Sequence, residues 1–425
     1  MKETYISRVS LIINAIIFIG VGMTLIVLPV KSANIFHFVV SSLMILLGFI
    51  SLIFNIIKTK KNINIVISVS TFLIGLFFVS KPITFLSLFP VIFGFYMLMN
   101  GIVKLLIYII YKEQKLKGYH PTLLNSVVDF MFSLVMMFNP SQNIKRLTII
   151  LGIYLILFGI TYFYDFLKDT FPKRFSTNFR RIRITPPIFI SALIPYGVYT
   201  KINNILDKYV TPININKKKV SGNIDLEIFI HVKNTAVGSI GHADLCFENK
   251  VYSYACYDDN SKRLLQTLGD GTFIIINSKS KYLKFCTNSS KKTIFAFGIT
   301  LTENQKKKIK QELKEIQKYA YRWFSKQETD NSNEYSDYAS TLYKYTNAKY
   351  YKFYKGKWKK YFLFSSNCVK LVDKVLGATG ADILKVSGIV TPGAYYNYLN
   401  KEFKRQNSNI IRKEIYTNAK QKRKK

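Results

Sequence analysis

The sequence predicts two unlike halves: an all-α membrane domain of six transmembrane helices in three hairpin repeats, followed by an α+β domain. Three observations carry this. Six apolar stretches fill the first 168 residues, a proline and two small residues recur there at one spacing, and the charge density changes abruptly afterwards. Of 61 Lys/Arg and 24 Asp/Glu, the first 168 residues hold 14 and 4, leaving 47 and 20 for the remaining 257.

The apolar stretches are Leu11–Val30, Ile35–Ile57, Ile63–Val79, Ile83–Ile110, Leu123–Phe138 and Leu147–Leu167. A helix needs about 20 residues to cross the hydrocarbon core. The third and fifth stretches are short by that measure, and the repeat argues for them. Pro29, Pro82 and Pro140 are each followed after 12 residues by Ser41, Gly94 or Gly152, and after 19 by Gly48, Gly101 or Gly159. The prolines are expected in short loops closing the odd-numbered helices, where a missing N–H costs nothing. The small residues, on the even-numbered helices, would let neighbouring backbones approach.

Three tandem hairpins with a proline between the helices resemble the HdeD-like family of small bacterial membrane proteins over residues 1–168. That resemblance implies a six-helix fold and an association with acid or envelope stress, and no chemistry. Lys58, Lys60 and Lys61, then Lys112, Lys115 and Lys117, then Lys168 follow the even helices, against Lys31, Lys81 and Lys145–Arg146 on the other side. This excess predicts that both ends of the six-helix unit are cytoplasmic. Lys104 and Asp129 fall inside the helices at a shared depth; they either pair or Lys104 extends toward the headgroups.

Residues 169–222 read as a basic interfacial connector. Lys173, Arg174, Arg180, Arg181 and Arg183 suit anionic lipid headgroups, and Ile184–Tyr199 carries Pro186, Pro187 and Pro195. Three prolines oppose a straight span, so an interfacial or re-entrant segment is expected. The net charge of +37 invites nucleic acid, but no nucleic-acid motif accompanies it and lipid is the better partner.

Residues 223–403 read as the α+β domain. Leu226–Val232 is a strand, residues 241–257 a hairpin turning at Glu248-Asn249-Lys250, and Thr272–Asn277 and Thr293–Thr300 further strands. Thr302 and Gln305 form a capping box, and Ile309, Leu313, Ile316, Ala320 and Trp323 mark a helix face. Ser365-Ser366-Asn367 are N-cap types before a helix whose apolar face includes Val369, Val372 and Leu376, with Gly377 as its stop. Residues 404–425 read as a basic, disordered tail.

Cys368 thus lies in a helical first turn, where aligned peptide dipoles favour an anion and a thiolate forms more easily. A buried cysteine on a helix is most often inert packing, and a strand histidine is most often structural. The order of the two groups argues otherwise. His242 on a strand after Gly241, followed over a hundred residues later by Asn367-Cys368, resembles circularly permuted papain-like enzymes, the NlpC-type peptidases and the lecithin:retinol acyltransferase-like group.

The resemblance implies a membrane-anchored cysteine hydrolase or acyltransferase, with Cys368 as nucleophile and His242 as base, acting on an amide, ester or thioester of a lipid or peptide. It implies no cofactor and no metal. A third group to orient the imidazole is expected on the next strand, from Ser253, Tyr254 or Asp258. The alternative is a non-enzymatic membrane scaffold or stress-response protein with an inactive papain-like domain. Cys246, Cys256 and Cys286 match no metal or disulfide pattern. The whole reads as a multi-pass protein of a bacterial cell membrane with a cytoplasmic second half.

Overall fold

A computed structural model describes residues 8–57, 62–116, 119–171, 182–183, 214–216, 223–232, 241–290, 292–379, 385–386, 391–405 and 408–417. The connector segment Ile184–Tyr199, most of the basic residues before it, and Lys58, Lys60, Lys61 and Lys117 lie outside these described residues. The chain divides into two compact units, one helical and one built on a sheet.

Six helices form the first unit: α1 (Arg8–Val27), α2 (Pro29–Ile57), α3 (Asn62–Ser80), α4 (Pro82–Glu113), α5 (Tyr119–Met137) and α6 (Pro140–Thr170). By length and composition α1, α2, α4 and α6 can cross a membrane. The 19-residue α3 and α5 are the two stretches the sequence marks as short. The prolines do not close the odd helices; each is the first residue of an even one. That is the position where a helix has no use for an N–H and a fixed φ near −65° helps. At the last of these junctions Asn139 takes φ 52°, the left-handed conformation that ends a helix. Asn143 Nδ2 then reaches Val135 O and Phe138 O at 2.6 and 3.0 Å, satisfying carbonyls left open by the end of α5. Lys168, expected after the sixth helix, lies within α6.

The recurring glycines sit where helices meet. A Cβ on Gly48 would lie 2.6 Å from Phe72 N in α3, and one on Gly94 2.6 Å from Met137 in α5. In α6, a Cβ on Gly152 would lie 2.7 Å from Gly22 O of α1, and one on Gly159 3.0 Å from Ala15 O. Each even helix therefore packs on an odd one through its small residues, α6 returning to α1. Many buried positions are small or polar (Ala15, Gly22, Ala33, Ser41, Ser126, Ser133), beside a few large apolar ones such as Phe85 and Leu86, while Ile16, Phe38, Leu47, Ile57 and Phe95 face outward. This inverted distribution is what a lipid solvent selects.

The second unit holds β1 (Asn214–Asn216), β2 (Leu226–Val232), β3 (His242–Phe247), β4 (Lys250–Ala255), β5 (Leu268–Asp270), β6 (Thr272–Ile276), α7 (Lys279–Lys284), β7 (Thr293–Ile299), α8 (Glu303–Gln317), β8 (Ala320–Trp323), α9 (Tyr338–Thr346), β9 (Lys349–Phe353), β10 (Lys360–Phe362), α10 (Cys368–Thr379), α11 (Pro392–Phe403) and β11 (Ile410–Tyr416). Nine strands make one antiparallel sheet in the order β1-β11-β7-β2-β3-β4-β6-β9-β8. One face packs Ile228, Ile230, Leu245, Phe295 and Phe297 against α8, α10 and α11; the other packs Phe229, Ile274 and Ile276 with α7 and α9.

Three expectations are corrected. Ala320 and Trp323 do not continue the helix: α8 ends at Gln317, and Ala320–Trp323 pairs with β9 as the terminal strand. Helical and strand spacing cannot be told apart over so few residues. Gly377 lies inside α10, which runs to Thr379. Ile410–Tyr416, placed in a disordered tail, is a strand next to β7; its half-buried Arg412 pairs with Glu227 and Glu414, which offsets part of the cost of burying the two carboxylates. The capping box at Thr302 forms as expected, Thr302 N to Gln305 Oε1 at 3.0 Å and Gln305 N to Thr302 Oγ1 at 3.3 Å.

Candidate active site

The site is built where β2, β3 and β4 meet the start of α10. Residues two apart on a strand share a face, so His242 and Asp244 stand side by side on β3. His231 lies opposite His242 in the β2–β3 register. Asp244 is fully buried and bridges the two rings: Oδ1 is 2.7 Å from His242 Nε2 and Oδ2 is 2.8 Å from His231 Nε2. These are charge contacts rather than aligned hydrogen bonds. The aligned partner of Asp244 Oδ2 is the Tyr282 hydroxyl of α7, which donates at 2.5 Å.

From β4, Ser253 Oγ stands 3.0 Å from His242 Nε2, and the Tyr257 hydroxyl is 2.7 Å from Ser253 Oγ and 3.3 Å from the same nitrogen. With Nε2 so occupied, Nδ1 is the nitrogen left for another partner. Cys368, the first residue of α10, lies in hydrogen-bonding reach of the His242 imidazole and of the Tyr361 hydroxyl on β10. Asn367 caps the helix: its Oδ1 accepts from Lys370 N at 3.0 Å, and its Nδ2 donates to Leu363 O at 2.7 Å. The residue before the thiol therefore holds the turn that aims it.

The electrostatics separate the two histidines. Burial works to lower the His242 pKa, but the Asp244 carboxylate and the neighbouring Cys368 together outweigh it and raise it to about 10. Burial dominates at His231, which falls to about 4. Asp244 stays well below the usual carboxylate range because His242, then His231, outweigh its own burial. Burial lifts Cys246 to about 12 and Cys286 to about 11, and lifts Cys256 as well.

Both residues expected from the sequence, Cys368 and His242, are brought together. Of the three expected orienting groups only Ser253 reaches the imidazole. Tyr254 donates to Trp358 O and Lys360 O, and Asp258 pairs with Lys352 at 2.6 Å. The carboxylate that does reach, Asp244, comes from the same strand as His242. Its signal was the one-residue gap in His242-Ala243-Asp244, which a strand converts into a shared face. His231 and Tyr361 carried no such signal, because both are joined to the site only by strand pairing and packing. Among the described residues no group of three His, Cys, Asp or Glu is arranged to hold a metal ion.

A family model described as "Short repeat of unknown function (DUF308)", the repeat of HdeD-like membrane proteins, matches residues 66–138 and 124–179. The N-terminal region is thus similar to a membrane-protein repeat, in keeping with its recurring helical hairpins. No curated protein and no solved structure matches the chain.

Proposed function

We propose that this chain is a membrane-anchored cysteine hydrolase or acyltransferase, its second half a permuted papain-like domain and its first half a six-span anchor with both ends in the cytoplasm. The observation that carries the reading is the contact of Cys368, at a helix N-terminus, with a His242 whose proton is held by Asp244. The Cys368 thiolate adds to an acyl carbonyl, forming a C–S bond and a tetrahedral oxyanion. His242 gives its proton to the departing amine, alcohol or thiol as that bond breaks. Water or a second nucleophile then loses its proton to His242 and attacks the thioester carbonyl, and the C–S bond breaks to release the acyl product and return the Cys368 thiolate. Asp244 stays ionised throughout and steadies the imidazolium. The substrate is an amide, ester or thioester of a lipid or peptide.

A second reading, an inactive scaffold or stress-response protein, draws on the burial of Cys368, which is 1% exposed. Intact-mass analysis of the full-length protein in detergent, mixed with a short-chain acyl thioester, separates the two. An acyl adduct on Cys368 that is absent in His242→Ala supports the enzyme. No adduct under conditions that modify a model thiol leaves the scaffold.

A further inference from the structure

One corner of the sheet unit carries aromatic rings and lysines that the thiol chemistry does not use. β8 is the terminal strand, and its start meets the end of β9 where Tyr354 N donates to Tyr319 O at 3.0 Å. The Tyr321 and Tyr354 rings lie 4.4 Å apart, and Tyr354 is 67% exposed. The Lys355 ammonium sits 4.6 Å from the Tyr319 ring and that of Lys318 5.9 Å from it. The turn after β9 is open at Gly356, with φ +90° and nothing near a Cβ placed there, and ends on exposed Lys359. Among the described residues Lys318, Lys355 and Lys359 form no ion pair, whereas the nearby acids Asp258 and Asp270 are already neutralised by Lys352 and Lys360.

A strand from another protein is a poor occupant for this edge. The edge strand β8 is only four residues long, too short to template a stable added strand. We propose instead that this corner rests on an anionic lipid headgroup surface, the tyrosine rings in the interfacial layer and the three lysines over the phosphates. Tyrosine partitions to that layer because one end of its ring is apolar and the other wet. Each lysine is drawn by the negative surface potential. The chain also carries helices long and apolar enough to cross a bilayer, so a membrane is always within reach, as a tethered second site is. A single-stranded nucleic acid would meet the same rings and charges but has no such tether.

The test uses the full-length protein reconstituted into vesicles. The native tryptophans are two, Trp323 and Trp358, and a Tyr354→Trp variant adds a third at the corner. Quenching by brominated lipid is read in excess of the parent protein, in phosphatidylcholine alone and with phosphatidylglycerol added. The expected result is excess quenching that appears with phosphatidylglycerol. Changing Lys318, Lys355 and Lys359 to Gln should weaken docking roughly fivefold per lysine. Absence of quenching with the anionic lipid, or quenching indifferent to lipid charge and to the lysines, overturns the proposal. Emission that responds to an added oligonucleotide and not to lipid also overturns it, and assigns the corner to nucleic acid.

Discussion

Asp244 and His242 stand two residues apart on one strand with carboxylate and imidazole 2.7 Å apart, and the same carboxylate lies 2.8 Å from His231. One buried anion thus serves two rings that titrate in opposite directions, His242 up to about 10 and His231 down to about 4.

Acid should therefore destabilise this unit. His231 is depressed, so its contribution is complete above its unfolded value near 6.5 and is lost as pH falls toward 4, where the unfolded chain binds the proton first. The depressed Asp244 loses its contribution lower still, below the ordinary carboxylate range. The raised His242 acts the other way: its contribution is complete below about 6.5 and is lost as pH rises through about 10. Thermal unfolding of full-length protein in detergent should weaken by roughly 3 kcal/mol at most between pH 6.5 and 4 through His231. His231→Asn, which removes the titrating ring, should flatten that slope. An unchanged slope means that His231 does not set it.

Within the helical unit Lys104 Nζ lies 2.6 Å from Asp129 Oδ2, and Asn100 Nδ2 donates to the same oxygen at 2.7 Å. Pairing therefore holds, rather than extension of Lys104 toward the headgroups alone. The two partners differ in access: the side chain of Asp129 is 6% exposed and that of Lys104 28%. Lys104→Met leaves a buried carboxylate with only an amide donor and should lower membrane yield more than Asp129→Asn, after which the long Lys104 side chain can extend toward the headgroups. The double mutant should recover yield relative to Lys104→Met. Additive losses would separate the two residues.

The helix contacts make a sharper steric prediction. Gly152→Leu should disrupt the α1–α6 contact, since its Cβ would meet Gly22 O at 2.7 Å. Gly20→Leu, with nothing within 4 Å, should be tolerated. Protease resistance of the two variants in detergent compares them directly, and equal resistance would mean that these helices do not pack as described.

How much was legible depends on how local each feature is. Helix positions, the Thr302 cap and the turn that presents Cys368 are set within a few residues, and they appear in the chain as spacing and residue type. The Pro–Gly periodicity showed where small residues recur, and the structure adds that each proline begins a helix. Asp244 was hidden because a carboxylate on the base's own strand looks like any polar strand residue until a second histidine and Tyr282 surround it. Ile410–Tyr416 was hidden because Arg412, Lys413 and Glu414 suggest a solvated tail, and only tertiary partners make them admissible in the sheet: Glu227 for Arg412 and Asn400 for Lys413.

The central claim is that His242 and Asp244 activate Cys368, and alkylation tests it most directly. Iodoacetamide is small enough to probe a buried thiol, and full-length folded protein at neutral pH is the sample. Mass spectrometry should find Cys368 modified on the order of a hundredfold faster than Cys246 or Cys286, whose thiols burial holds at about 12 and 11. His242→Ala should abolish that advantage. Asp244→Asn should reduce it and shift the remaining reaction to higher pH, because burial then lowers the proton affinity of His242 unopposed by the carboxylate. A Cys368 that reacts no faster than the other cysteines, or whose rate ignores both changes, would contradict the account.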